Sequence, residues 1–281
     1  MNGVENKLSL IAMVYNIRYT YTVGIRKDDK LNWLQSAVPE GVAVPSTWLT
    51  ANGYTPQLVH KYVQSGWLLA LGNRAYARPG VPISWEGVLL GLQRLGEFKL
   101  HLGGVSALSR QGLAHYLSLG GESVIHVWGK DKPPAWVGKL ELDSQWAFHR
   151  RRLFATDPGE GWVELPTKVR DWTLRASAPE RAVLEVLSEV DETVSSFTFA
   201  AEFFEGLTTA KPPVVTALLK ACTHSKAKRL FLFLAEHYHY PWLKRVEVDA
   251  IDLGKGKRMI TRGGRLDKRY QITVPEVFRA G

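Results

Sequence analysis

The stretch from Ser46 to Gln64 holds two short helical segments with almost no chain between them. Asn52-Gly53 is expected to end the first helix, because both residue types tolerate the left-handed backbone that a helix stop needs. The second helix opens at Thr55-Pro56, where threonine is a good N-cap and proline suits the first turn. Helices joined this closely pack directly against each other, which restricts the segment to helix-turn-helix arrangements.

The elements on either side complete a known order. A further helix is predicted from Asp28 up to Pro39-Glu40-Gly41, because an apolar stripe runs through Leu31, Leu34 and Val38. Two short strands are predicted at 67–71 and 74–78, with Gly72-Asn73 as a two-residue hairpin turn. Helix, helix, tight turn, helix and hairpin is the order of a winged helix-turn-helix.

The polar face of the third helix contains no acidic residue, which favours DNA as its ligand. In a winged helix this element enters the major groove, and the hairpin follows the phosphate backbone. The alternative is a winged helix that binds protein. The predicted DNA-contacting residues are Thr55, Gln57, His60, Lys61 and Gln64 of the helix, and Asn73, Arg74 and Arg78 of the hairpin.

The composition agrees with a polyanion partner. Lys and Arg number 36 against 27 Asp and Glu, a net charge of +9, which favours nucleic-acid binding through counterion release. The single cysteine, Cys222, excludes an intrachain disulfide and a zinc finger, and it is expected to be a reduced core thiol. No apolar run reaches the roughly 20 residues of a membrane helix, so we expect a cytoplasmic protein without a membrane partner.

The rest of the chain predicts an α+β fold, with the winged helix followed by a larger mixed α/β domain of one or two lobes. The expected boundaries are an extension at 1–27, a DNA-binding domain at 28–79, and a second domain at 83–281. The extension alternates like a strand from 17 to 26, and it either belongs to the fold or is a leader. Ser177-Ala178-Pro179-Glu180 predicts a capping box at the start of a helix, and residues 247–253 predict a strand.

Basic residues crowd the C-terminal end. Such a run is either a solvated surface or a second polyanion-binding surface that touches DNA phosphates, RNA or an acidic partner. This C-terminal basic cluster comprises Lys255, Lys257, Arg258, Arg262, Arg265, Lys268 and Arg269.

Catalytic signatures are not found, so we expect no catalytic residues, no metal site and no cofactor. The glycines and lysines at 253–257 lack phosphate-loop spacing, and no G-x-S-x-G elbow is present. His237 and His239 lie two apart, which on a helix points them in different directions. The remaining enzyme alternative is a nuclease-like C-terminal domain, built on the acids Glu247, Asp249 and Asp252 with Lys255.

Several stretches taken together resemble one protein family. They are Leu31 to Leu34, Pro56 to Trp67, Leu102 to Leu108 with His115 to Leu117, Ser177 to Ala182, Lys226 to Leu232 and Asp252 to Arg258. In their order and spacing they resemble the AbiEi antitoxins of abortive-infection, type IV toxin–antitoxin systems. The likeness runs from about Lys30 to the C-terminus.

The resemblance implies a non-enzymatic antitoxin and autoregulator. Its winged helix would repress the operon by binding double-stranded DNA in its own promoter, at expected inverted repeats. Its larger domain would neutralise a nucleotidyltransferase toxin, a phage-defence function, and members differ in whether they touch the toxin directly. The family implies no catalytic residues, in agreement with the motif search.

Overall fold

The computed structural model describes residues 27–72, 74–113, 123–142 and 144–278. The chain divides into two compact units, residues 1–38 and 39–281. In the first unit the described part is helix α1 (Lys27–Ala37), in agreement with the helix predicted before Pro39. The strand pattern at 17–26 lies outside the described residues.

The second unit opens with the helix pair and hairpin. Strand β1 (Val44–Pro45) leads into α2 (Ser46–Ala51) and α3 (Pro56–Gln64), and the hairpin is formed by β2 (Leu69–Ala70) and β3 (Ala75–Ala77). The three strands form one sheet in the order β1-β3-β2. The predicted cap is present, since Leu58 N donates to Thr55 Oγ1 at 3.3 Å. The described chain is therefore mixed α and β, with a winged helix-turn-helix pattern before a larger α/β part.

The hairpin turn is one residue longer than predicted. Leu69 pairs with Ala77, Ala70 pairs with Tyr76, and Leu71 N donates to Ala75 O at 2.9 Å. This register leaves three residues for the turn rather than the predicted two. Arg74 takes a left-handed φ of 70° and thereby closes the turn, as the last residue of a three-residue loop commonly does.

Helix α4 (Trp85–Arg94) crosses the stretch before β1 at backbone-to-backbone distance. A Cβ on Gly87 would lie 1.8 Å from the Gly41 carbonyl oxygen, and one on Gly91 would lie 1.9 Å from that of Ala43. The Ala43 N–H donates to Gly87 O at 3.1 Å across the same contact. We call this contact the glycine seam. Only glycine permits it, although glycine costs a helix about 0.5–1 kcal/mol relative to alanine.

A five-stranded mixed sheet in the order β6-β5-β4-β8-β7 organises the larger part. Its strands are β4 (Leu100–Leu102), β5 (Ser123–Gly129), β6 (Ser144–His149), β7 (Trp162–Pro166) and β8 (Thr173–Ser177), and α5 (Gly104–Arg110) follows β4. Pairs β4–β8 and β5–β6 are parallel, whereas β4–β5 and β7–β8 are antiparallel. The apolar side chains of these strands enter a core that continues through the helices after β8.

Four helices follow the sheet: α6 (Pro179–Ser188), α7 (Val194–Glu205), α8 (Pro212–Ala221) and α9 (Ser225–His237). The predicted capping box at the start of α6 is wrong. Ser177 is the last residue of β8, so Ala178 is the N-cap of α6. The apolar Ala178 side chain makes no capping hydrogen bond. Ser177 donates instead to Glu185, and Glu180 accepts the backbone N–H of Lys211 at 2.8 Å.

The strand predicted at 247–253 is also wrong. This stretch holds a 3-10 turn (Val248–Ala250), preceded by another at Pro241–Arg245. Its amides bond locally, Ala250 N to Glu247 O and Ile251 N to Val248 O, so the alternating pattern has no partner strand. The last described strands are β9 (Arg258–Met259), β10 (Arg265–Asp267) and β11 (Ile272–Val274). They form a small sheet in the order β10-β11-β9, which is followed by the 3-10 turn Glu276–Phe278.

Candidate nucleic-acid interface and basic cleft

Helix α3 buries one side and presents the other. Val59 and Tyr62 are 5 % and 4 % exposed and anchor the helix to the core. Gln57, His60, Lys61 and Gln64 are all exposed, as is the capping residue Thr55. The face that carries the predicted base-contacting residues is thus available, and it holds no acidic side chain.

The two wing arginines differ in their surroundings. The Arg74 side chain is exposed, and its backbone oxygen accepts the N–H of Ser46 at 2.9 Å, which ties the turn to the start of α2. Arg78 is 15 % exposed at its side chain, and its Nη2 lies 3.3 Å from Glu40 Oε1. Arg74 is therefore the better placed of the two to meet a phosphate. Asn73 lies outside the described residues.

The C-terminal basic cluster lies around the small β9–β11 sheet and is mostly exposed. Arg262 Nε lies 3.0 Å from Glu192 Oε2, but its side chain is 81 % exposed. Arg269 pairs with Glu236 and is 65 % exposed. Arg258 is partly buried, whereas Lys255, Lys257, Arg265 and Lys268 are exposed. Most of this charge thus faces solvent.

A buried arginine that the sequence analysis did not single out holds the loop that carries the cluster. Arg229, on α9, is 3 % exposed and donates four hydrogen bonds to backbone oxygens. Its acceptors are Leu253 at 2.9 Å, Gly254 at 2.7 Å, Gly256 at 2.5 Å and Gln271 at 3.3 Å. Burial, together with the nearby Arg258, lowers the pKa of Arg229. This arginine therefore fixes the loop that carries Lys255 and Lys257 of the cluster.

Two of the three acids of the nuclease alternative have partners within the protein. Glu247 Oε2 lies 2.6 Å from Lys220 Nζ, and Asp252 Oδ1 accepts the N–H of Gly254 at 2.8 Å. No group of three or more His, Cys, Asp or Glu side chains in the described part of the chain is arranged to hold a metal ion. No helix among the described residues is long and apolar enough to cross a membrane.

Sequence analysis also missed a basic cleft of about 540 Å³ on the five-stranded sheet. Its basic lining residues are Lys99, Lys130, Arg150, Arg151, Arg152, Arg175 and Arg181, and its acidic ones are Glu97, Asp157 and Glu185. Phe98, Trp128, Phe154 and Trp162 contribute aromatic walls. The run Arg150-Arg151-Arg152 was the available signal, but strand pairing was needed to place it beside Lys99 and Lys130.

The floor of the cleft is built around Glu185 of α6, which is 2 % exposed. Its carboxylate lies 2.8 Å from His101 Nε2 and accepts hydrogen bonds of 2.8 Å from Ser177 Oγ and Gly104 N. The preceding Gly103 is required here, because a Cβ would lie 2.4 Å from Trp128 and 2.5 Å from Glu185. The carboxylate is fully satisfied by protein groups.

Arg181, one turn before Glu185 on α6, crosses the same floor. Its guanidinium stacks 3.6 Å from the centre of the Trp162 ring and 4.5 Å from that of Phe154. It also donates to Asp157 Oδ1 at 3.2 Å. Burial lowers the pKa of Arg181, and Glu185 and Asp157 oppose that change. Partial burial would raise the pKa of Asp157, but the charge of Arg181 keeps it below its usual range.

Two family models match this chain. Residues 27–119 match the model of the N-terminal domain of AbiEi antitoxin transcriptional regulators, and residues 122–275 match the model of the AbiEi antitoxin transcriptional regulator of type IV toxin–antitoxin systems. Among solved structures, the RV2827C protein from Mycobacterium tuberculosis is similar at 16 % identity over 87 % of this chain and 89 % of that chain, with a TM-score of 0.48. No curated protein matches significantly. The chain belongs to the AbiEi family of antitoxin transcriptional regulators.

Proposed function

We propose that this protein binds its own promoter DNA through α3 and the wing, represses its operon, and neutralises a nucleotidyltransferase toxin. It acts in the cytoplasm as a non-enzymatic regulator without a cofactor. The observation that carries the DNA proposal is the exposed, acid-free face of α3, which is held in place by buried Val59 and Tyr62. Inverted repeats in the promoter are the proposed target, with residues 28–79 as the DNA-binding part and 83–281 as the antitoxin part.

Replacing Lys61 with glutamate tests the assignment of α3. A base-edge contact contributes about 1–3 kcal/mol to binding, and the reversed charge adds repulsion from phosphate. We expect loss of specific binding to the upstream region in an electrophoretic shift assay, with an unchanged melting temperature. Lys244→Glu, an exposed charge reversal in the 3-10 turn 241–245, is the control. Unchanged affinity of the Lys61 variant would contradict the assignment.

The wing is tested by comparing Arg74→Ala with Arg78→Ala. Each lost phosphate contact flattens the dependence of log K on log salt by about one unit, whatever the DNA sequence. We expect this change for Arg74→Ala and a smaller one for Arg78→Ala, because Glu40 already engages Arg78. Affinities measured over a salt series on specific and random duplexes decide whether each arginine contacts a phosphate. A changed base preference with the original salt slope would show that the wing is misplaced.

The C-terminal basic cluster is the proposed antitoxicity surface. Lys257 and Arg262 are exposed charges that add little to stability, and the partly buried Arg258 donates to the neighbouring Lys257 carbonyl, so alanine at all three should leave the melting temperature nearly unchanged. Protection against the toxin should weaken, because a surface facing an acidic partner or nucleic acid is lost. Growth rescue and a promoter reporter, run on the same well-expressed variant, separate antitoxicity from repression. Full rescue would make the cluster an ordinary solvated surface.

A further inference from the structure

The pairing of strands gathers three cationic side chains at one end of the five-stranded sheet. Leu100 pairs with Gly129, and Trp128 pairs with His149. Lys99, Lys130 and Arg150 each lie one residue beyond these pairs, at the same edge of β4, β5 and β6. The backbone confirms the proximity, because Lys130 N donates to Lys99 O at 3.3 Å. These side chains line the mouth of the basic cleft.

The acidic and basic side chains of the cleft differ in how many partners they have within the protein. Glu185 and Asp157 are satisfied by the protein, through the bonds to His101, Ser177 and Arg181. By contrast, the side chains of Lys99, Lys130 and Arg150 are exposed and make no hydrogen bond or ion pair with any described residue. Seven basic residues line the cleft against three acidic ones, of which only Glu97 is not accounted for by these bonds, so the concave surface carries an excess of positive charge that attracts an anionic ligand.

The walls add unpartnered donors and aromatic surface. Trp162 Nε1 and Arg181 Nε are buried, and neither has a hydrogen-bond partner among the described residues, although Arg181 Nε lies 3.9 Å from Glu185 Oε1. Both belong to residues that line the cleft, and both are donors without acceptor capacity. A ligand rich in acceptor oxygens is the complement of such a wall. Phe98, which is half-buried, supplies apolar surface for a flat organic body, whereas the Phe154 ring is already covered by Arg181.

We propose that this cleft binds a nucleoside phosphate, with its phosphate at Lys99, Lys130 and Arg150 and its base against the aromatic wall. A volume of about 540 Å³ falls within the range of roughly 300–1,000 Å³ that small-molecule sites occupy. An inorganic anion alone would leave the aromatic part of the cleft unfilled. No residue of α3, the wing or the C-terminal basic cluster lines the site, so it can be tested separately from the proposed promoter binding.

The experiment is calorimetric titration of the full chain with each of the four ribonucleoside 5′-monophosphates, and with adenosine and inorganic phosphate as partial ligands. We expect saturable binding of at least one monophosphate, with affinity more than tenfold above that of both partial ligands. The variant with alanine at Lys99, Lys130 and Arg150 should lose at least tenfold in affinity. Lys139→Ala, an exposed lysine that does not line the cleft, should bind as the parent does.

Three results would contradict the proposed site. No saturable binding of any monophosphate, or equal binding by the triple variant with an unchanged melting temperature, removes the site. Inorganic phosphate that binds as tightly as the nucleotides reduces the cleft to a simple anion site and contradicts the role of the aromatic wall. A promoter shift assay on the triple variant should be unchanged, which separates failure here from failure of the DNA proposal.

Discussion

Replacing Arg229 with methionine is expected to destabilise the protein by about 3–4 kcal/mol, because four backbone carbonyls lose their donor inside the fold. Methionine keeps much of the aliphatic stem, so the measured loss reports the hydrogen bonds rather than a large cavity. Denaturant unfolding gives the free energy, and the melting temperature should fall by roughly 10 °C. The loop 253–257 should also become the first site of limited proteolysis.

Two further variants make the Arg229 result interpretable. Arg265→Met changes an exposed arginine in β10 and should shift stability by less than about 0.5 kcal/mol. Arg229→Lys keeps the charge but not the planar fork of donors, so its stability should lie between those of the parent and the methionine variant. Equal stability of Arg229→Met and the parent would show that these carbonyls are satisfied by other groups.

The second large effect is expected at the glycine seam. In Gly91→Ala, the new Cβ would lie 1.9 Å from Ala43 O and 2.8 Å from Ala43 C. The obstruction is backbone on both sides, so no side chain can rotate away, and α4 must move off the stretch before β1. We expect a loss of about 3 kcal/mol or more, at the upper end of overpacking effects, as measured by denaturant unfolding.

Gly138→Ala is the matched control for the seam. It is the same substitution, and a Cβ at this position meets nothing within 4 Å. Its stability should equal or slightly exceed that of the parent, because alanine reduces the entropy of the unfolded chain. If Gly91→Ala were as harmless as Gly138→Ala, the close approach of the two backbones would not be a property of the folded protein.

Local signals were read well from the sequence. The helix pair, its threonine cap and the acid-free polar face of α3 depend on residues within one or two turns of each other, and the family resemblance covered the same stretches. The errors came where a partner far along the chain decides the structure. Ser177 looked like a helix cap, but β8 extends through it and Glu185 takes its hydroxyl.

The basic cleft could not have been found from local patterns. Lys99, Lys130 and Arg150 are separated by roughly 20 to 30 residues each, and strand register alone brings them to one edge. Arg229 was passed over for a similar reason, because its acceptors are backbone oxygens 24 to 42 residues away. Gly87 and Gly91 did carry a readable signal. Two glycines four apart, with Val88, Leu89 and Leu90 between them, indicate close backbone approach on one face of the helix.

The glycine seam sets where this protein can be cut and recombined with its relatives. A fragment that stops at residue 79 would leave the Gly41 and Ala43 backbone without the helix against which it packs. A self-sufficient DNA-binding piece should therefore extend through Leu95, the C-cap of α4. Chimaeras that exchange promoter specificity between family members should join the chains after this helix, carrying α4 along with the recognition elements. A join at 79–83 would take α4 from one protein and residues 41–43 from the other. The glycines of α4 would then face a backbone against which they did not evolve to pack.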